Sequence, residues 1–253
     1  MFENKIVVVT GASRGIGKTI AIEFSRQGAI VVCIATSSKN CYKVEQQILK
    51  SGGTVKSIGC HVEIREEVRH AFKIIEDEYG KIDVLVNNAG VSKPMATMQM
   101  DDANWNSQMD INCKSIFLCS QAAAISMKTK KRGGTIINIG SILGRNAFPA
   151  TLAYCASKAA VDQMTKVMAI EWAKYKIRVN CIAPGYVQTE LIESLIKEKK
   201  IQIDDLKKRT PQRQLGTEKD VANAVIFAAS KNSSFMTGET IVVDGGWTAF
   251  GYY

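Results

Sequence analysis

The sequence predicts a doubly wound α/β fold: a parallel sheet of about seven strands with helices on both faces. Three observations carry that reading. Short Val- and Ile-rich runs alternate with longer segments of helical period. The runs are apolar almost throughout, as strands covered on both faces must be. A glycine-rich turn follows the first run directly, where a parallel sheet passes into its first crossover helix.

In chain order, the first strand is placed at Lys5–Thr10 and the helix after its turn at Gly17–Gln27. Ala29–Ala35 is the second run, and Tyr42–Lys50 repeats apolar residues at i, i+3 and i+4. Thr54–Cys60 follows, then the helical segment Val68–Tyr79 and the fourth run, Ile82–Asn87. The fifth and sixth runs are Thr135–Gly140 and Ile177–Ile182, with the helix Ala159–Lys174 between them. Thr240–Val243 is the last strand. With no linker, repeat or low-complexity tract, residues 1–253 are expected to form one domain. The irregular stretch 188–216 contains Lys197–Arg213, with seven basic and three acidic residues, and is expected to form a lid over the strands' carboxyl ends.

Composition narrows the function classes. With 46% hydrophobic and 23% charged residues, the chain is neither disordered nor collagen-like. Seven cysteines without a C-x-x-C pair suit reduced thiols in a cytoplasmic protein. Two histidines, His61 and His70, leave little material for a histidine metal cage or a Ser-His-Asp triad, so no metal is expected. The first residues lack a secretory pattern, and no apolar run reaches the roughly 18 residues that would suggest a membrane span. The +9 net charge raises nucleic acid as a partner, but no nucleic-acid motif or basic–aromatic interleaving supports it.

The turn itself reads TGASRGIG, Thr10–Gly17. Gly11 permits a tight turn, and Gly15 and Gly17 let a phosphate approach the backbone and the helix N-terminus. The spacing is G-x-x-x-G-x-G, not the commoner G-x-G-x-x-G, so its strand-before, helix-after context carries the dinucleotide reading. The second strand ends at Ala35-Thr36-Ser37-Ser38-Lys39 without the acid that usually holds a ribose 2′-hydroxyl. Arg14, Thr36, Ser37 and Lys39 suit a 2′-phosphate instead. This favours NADP(H) over NAD(H); the alternative is a polar surface turn.

Tyr154 and Lys158 stand four apart, on one helix face. A free phenol, with a pKa of about 10, is ionised at pH 7 only to about one part in a thousand. An ammonium alongside, with an oxidised nicotinamide, would bring that value down and make Tyr154 a general acid or base. Alone, such a pair is more often an ordinary helix face. Ser141 closes the fifth strand, Asn87-Asn88-Ala89-Gly90 closes the fourth, and Asn112 falls on the next predicted helix.

Together these motifs, with Pro184-Gly185, resemble the short-chain dehydrogenase/reductase family over nearly the whole chain. The resemblance implies a Rossmann-type fold and hydride transfer between nicotinamide and a carbonyl or secondary alcohol. It makes Tyr154 the general acid/base, Lys158 the residue that binds the nicotinamide ribose and lowers the tyrosine pKa, Ser141 the polariser of the carbonyl, and Asn112 the holder of a relay water. It also places Gly11, Ser13, Arg14, Gly15, Ile16, Gly17, Thr36, Ser37, Val62, Asn88, Ala89, Gly90, Pro184, Gly185, Val187 and Thr189 around NADP(H). Where the family often has Asp-Val, this chain has His61-Val62; the imidazole either meets the adenine or faces solvent. Cys155 reads as packing rather than nucleophile, because no histidine is placed to activate it.

Among the family's branches, the chain is similar to the 3-oxoacyl-(acyl carrier protein) reductases. It shares Ala35–Ser37, the arginine of the glycine turn, and the basic loop Lys128, Lys130, Lys131 and Arg132, which suits an acidic carrier. Ala147–Ala153 and Val91–Met95 look equally like sugar and polyol dehydrogenases, and that alternative stays open. Tyr175 stands where the acyl branch has a second basic residue, flanked by Lys174 and Lys176. A non-catalytic NADP-binding sensor or scaffold is the reading from another class. Thr237–Gly246 resembles the strand through which the family forms homotetramers. The aromatic tail Trp247–Tyr253 is expected to enter a neighbouring subunit or to wall a pocket.

Overall fold

The protein is described by a computed structural model covering residues 1–129, 133–189 and 202–251. β1 (Ile6–Thr10) lies inside a seven-stranded sheet with β2 (Ile30–Ala35) and β3 (Thr54–Gly59) on one side. On the other side lie β4 (Val84–Asn87), β5 (Gly134–Ile139), β6 (Ile177–Pro184) and β7 (Thr240–Val243), giving the order β3-β2-β1-β4-β5-β6-β7. Every pairing is parallel; Val9 stands opposite Cys33 on one side and Val86 on the other. The order reverses between β1 and β4, which opens a crevice at their carboxyl ends.

Alternate residues of the strands feed two apolar layers. Val7, Val9, Val31 and Cys33 meet α1 (Gly15–Arg26), α2 (Tyr42–Lys50) and α8 (Glu218–Ala229). Ile6, Val8, Val32 and Ile34 meet α3 (Arg65–Tyr79), α5 (Ser115–Thr129) and α6 (Leu152–Trp172). Two-sided burial is why the strands lack polar alternation. β3 departs from the expectation: it is an edge strand, and only Ile58 of its six residues is buried.

Two helices differ from their predicted form. α6 begins about two turns before its apolar periodicity, because Tyr154, Ser157 and Lys158 in those turns serve polar contacts rather than the core. Asn112 lies not in a regular α-helix but in a π-turn, Asp110–Lys114, between α4 (Asp102–Met109) and α5. Such wide turns are frequent at functional sites. The described part of the expected lid carries α7 (Ile203–Arg209). Lys130, Lys131 and Arg132, residues 190–201, and Tyr252 and Tyr253 lie outside the described residues. Among the described residues, no helix is long and apolar enough to cross a membrane, and no group of three His, Cys, Asp or Glu could hold a metal ion.

Candidate active site

The glycine turn is stapled to the end of β4. Thr10 closes β1, and its hydroxyl accepts from the backbone N–H groups of Asn88 (3.0 Å) and Ala89 (3.1 Å). The Asn88 amide returns two bonds, to the carbonyls of Thr10 (3.0 Å) and Gly11 (3.1 Å). Glycine is required twice here. Gly11 has φ +63°, and a side chain on it would stand 2.8 Å from the Ala89 Cα; one on Gly17 would collide with the Gly11 carbonyl and the Asn88 amide. Gly15, also at positive φ, faces open space, with Glu218 Oε1 3.9 Å from where a Cβ would stand.

That open cradle sits where α1 begins. The first turn of α1 carries no acidic residue, so its positive end is uncompensated by its own helix. Ser13 and Ile16 are partly exposed, and Arg14 is exposed just before the helix. Beyond β2, Thr36 is exposed and Ser37 partly so; Thr36 Oγ1 accepts from the Asn40 amide at 3.0 Å. No acid occurs from Ala35 to Asn40. The donor set therefore fits a dinucleotide with an extra phosphate on its adenosine ribose. Val62 is buried under the neighbouring edge, whereas His61 is exposed, its Nδ1 3.4 Å from Glu63 Oε1.

Across the crevice, four further residues converge from three elements. Asn112 is fully buried: its Oδ1 accepts from the Val91 N–H and its Nδ2 donates to the Val91 carbonyl, both at 2.8 Å. The same amide reaches Ser157 Oγ at 3.2 Å, and Ser157 donates to the Tyr154 carbonyl at 2.7 Å, tying the π-turn to α6. Ser141 caps the short turn after β5, its hydroxyl accepting from the Leu143 N–H at 3.1 Å, and it is the neighbour that favours the ionised form of the Tyr154 phenol. Lys158 is buried, donates to the Ile139 carbonyl at 2.7 Å, and lies 5.8 Å from the centre of the Tyr154 ring. Gly90 lines this side, where a Cβ would stand 3.8 Å from Lys158 Nζ.

Burial pushes the two titrating groups in opposite directions. Desolvation raises the Tyr154 phenol above its ordinary value, opposed by the Ser141 hydrogen bond. Desolvation lowers the Lys158 ammonium to about 8, opposed by its neighbours Cys181, Asp162 and Cys113. Each group thus leans toward its neutral form.

The third wall follows β6. Gly185 donates to the Val243 carbonyl at 2.9 Å, and a side chain on it would stand 2.9 Å from the Asp244 Cα. Val187 is buried and bridges to Gly216, while Thr189 is partly exposed at the border of the described residues. Sequence reasoning missed Tyr186, which packs against Trp247 with ring centres 4.8 Å apart and planes tilted by 55°. Arg209 of α7 lies 5.1 Å from the Trp247 ring and 5.6 Å from the Phe250 ring. The tail up to Phe250 thus packs on its own chain. Thr10 was also missed; its one signal is a hydroxyl ending an otherwise apolar strand. Cys155 contacts the Thr151 hydroxyl at 3.2 Å, and both histidines lie exposed around the third strand and α3.

Residues 11–248 match the family model described as enoyl-(acyl carrier protein) reductase. The chain is 39% identical to the 3-oxoacyl-(acyl-carrier-protein) reductase of Haemophilus influenzae, over 96% of this chain and 98% of that protein. It is 36% identical to the Escherichia coli reductase of the same name, over 97% and 98%. Among solved structures, a gluconate 5-dehydrogenase from Burkholderia cenocepacia, in complex with NADP and tartrate, superposes with a TM-score of 0.93 at 34% identity, covering 98% of this chain and 96% of that one.

Proposed function

This chain belongs to the short-chain dehydrogenase/reductase family, and on that premise we propose that it is an NADP(H)-dependent reductase of 3-oxoacyl groups carried on acyl carrier protein. The observation that carries the reading is the convergence of Ser141, Tyr154 and Lys158, tied to Asn112, across the crevice from an open glycine cradle. NADPH, when bound, supplies the hydride. Gly11, Ser13, Gly15, Ile16 and Gly17 would hold its diphosphate; Arg14, Thr36 and Ser37 its 2′-phosphate; Val62, Asn88, Ala89 and Gly90 its adenosine side and the path between. Pro184, Gly185, Val187 and Thr189 would border the nicotinamide.

The protein's own groups manage the oxygen and its proton. Ser141 donates to the substrate carbonyl and so orients it beside Tyr154. Tyr154 gives its phenolic proton as negative charge grows on that oxygen. Lys158, charged below about pH 8, faces the phenolate left behind and offsets its charge. Asn112, its side chain held by Val91 and Ser157, would hold the relay water toward Lys158 that the family resemblance implies.

The carrier-linked substrate is supported by the names of the two relatives and by local charge. Lys128 and Lys174 lie 4.7 and 5.2 Å from the centre of the Tyr175 ring, a cationic surface suited to an acidic carrier. The sugar or polyol alternative is favoured by one observation, the likeness to the gluconate 5-dehydrogenase structure. A mere NADP-binding scaffold has no use for the convergent Tyr154, Lys158 and Ser141. We further infer a one-domain, cytoplasmic homotetramer with a lid over 188–216. Exposed Phe117, Ile125, Val167 and Ile170 on α5 and α6 support self-association.

The test is initial-rate reduction of a 3-oxoacyl-carrier-protein substrate, with NADPH and NADH compared. Fast turnover with NADPH, lost in Tyr154→Phe, is expected. No turnover with either cofactor, in protein that binds NADPH, would overturn the acyl reading and make gluconate and related polyols the next substrates.

A further inference from the structure

Asp162 sits one turn beyond Lys158 on the same helix, nearly buried, at a place the catalytic reading does not use. Its two carboxylate oxygens serve different elements. Oδ2 accepts from Arg145 Nε at 3.2 Å, and Oδ1 accepts from the Thr240 hydroxyl of β7 at 3.2 Å. Arg145 ends the short turn that Ser141 begins: the Gly144 N–H donates to the Ser141 carbonyl (3.0 Å) and the Arg145 N–H to the Ile142 carbonyl (3.1 Å). Within that turn, Gly144 lies flat against α6, where a side chain would stand 2.9 Å from the Lys158 carbonyl. The turn bearing Ser141 and the helix bearing Tyr154 and Lys158 are thus pressed together at Gly144 and bound at Arg145–Asp162.

We propose that the Arg145–Asp162 ion pair is a positioning device: it sets Ser141 against Tyr154 and, through the Asp162 carboxylate, keeps Lys158 charged. Neither residue hydrogen-bonds Tyr154; both act through neighbours. The inference rests on the catalytic reading of Tyr154 and Lys158 given above.

The electrostatic half has a specific sign. The groups facing Lys158 are Tyr154 and Asp162 from α6, Cys181 from β6 and Cys113 from the π-turn. Burial raises both thiols, Cys181 to about 12, so at neutral pH neither carries charge. Of these four, Asp162 alone supplies negative charge at pH 7. Arg145, on its far side, partly neutralises it. Removing Asp162 therefore lets Lys158 lose its proton at lower pH, and removing Arg145 makes it hold the proton to higher pH.

The experiment titrates Lys158 directly, by NMR of protein labelled with ¹³Cε-lysine and free of nucleotide, the resonance assigned by its loss in Lys158→Arg. In Asp162→Asn the midpoint should fall by about one pH unit, and in Arg145→Gln it should rise, the size expected for one nearby charge in a partly screened site. Both variants should also lose about ten- to a hundredfold in kcat for carbonyl reduction, as small misplacements of a reacting pair do. Midpoints that stay put, or move in the same direction, would overturn the proposal. Should Asp162→Asn fail to fold, the exposed Arg145 carries the test alone, and an unmoved or lowered midpoint in Arg145→Gln refutes it. Tyr154→Phe separates the two levels: turnover that survives it defeats the catalytic reading, whereas loss of turnover with unsplit midpoints defeats only this one.

Discussion

Lys158→Met should stabilise the protein at neutral pH while abolishing its activity. The ammonium is nearly free of solvent, and desolvation lowers it from 10.5 to about 8. At about 1.4 kcal/mol for each pH unit, holding that charge inside costs the fold about 3 kcal/mol. Because the folded value is the lower one, the cost is full below pH 8 and disappears as pH rises through 10.5. Methionine removes it but leaves the Ile139 carbonyl, now bonded at 2.7 Å, without its donor, a loss of about 1–2 kcal/mol. The net expectation is a gain of about 1–2 kcal/mol at pH 7 that becomes a loss of similar size near pH 10.5. Urea unfolding of both proteins at pH 7 and pH 10, followed by circular dichroism, measures this; NADPH-dependent turnover is measured alongside. A variant less stable than wild type by the same amount at both pH values would refute the reasoning, since the lost bond would then be the whole effect.

Gly17→Ala should weaken NADPH binding at least tenfold and cost about 2–3 kcal/mol, because its methyl group displaces the Gly11 carbonyl or the Asn88 amide; binding within twofold of wild type, by fluorescence titration, would place the nucleotide elsewhere. Thr36→Asp should turn the cofactor preference toward NADH, raising KM for NADPH by about tenfold or more as a carboxylate meets the 2′-phosphate; an unchanged NADPH/NADH ratio would remove this turn from the site. Ile125→Glu with Ile170→Glu, at two of the most exposed apolar positions of α5 and α6, should lower the assembly state seen by light scattering. An unchanged mass would exclude that face as the contact.

The architecture is legible because the inner strands obey one rule: Val7, Val8, Val9 and Leu85 are buried whichever face they point to, so the runs read as unbroken apolar segments. β3 escapes the rule because an edge strand has a partner on one side only. The glycine turn and the Tyr154–Lys158 spacing are legible because each is local, a few residues whose types serve one piece of chemistry. What stays hidden is built from distant pairs. Thr10 gains its role from Asn88 and Ala89 across the sheet, and Asp162 gains its own from Arg145 and Thr240. Their sequence separations carry no periodic signal. The tail is a similar case: its aromatic residues suggest packing, and only the structure shows Trp247 beside Tyr186 and Arg209 of its own chain.

Burial does two things at this site, and they point the same way chemically. It raises Tyr154, which keeps the phenol protonated and able to give a proton at neutral pH. It lowers Lys158 to about 8, which leaves the ammonium charged at neutral pH but close to losing its proton. Carbonyl reduction needs the first condition before the proton moves and the second immediately after, when a phenolate has to be accommodated in a desolvated place. Alcohol oxidation needs the phenolate at the outset, against the same desolvation. The protein's own charges therefore favour reduction near neutral pH, and oxidation depends on further positive charge arriving with the nucleotide. With Tyr154 and Lys158 in the proposed roles, reduction should lose support as pH passes about 8, where Lys158 would give up its proton before Tyr154. On the proposed roles, the residue that would tune this limit is the one that holds charge on Lys158, so Asp162 and its arginine would matter to a reaction that neither of them touches.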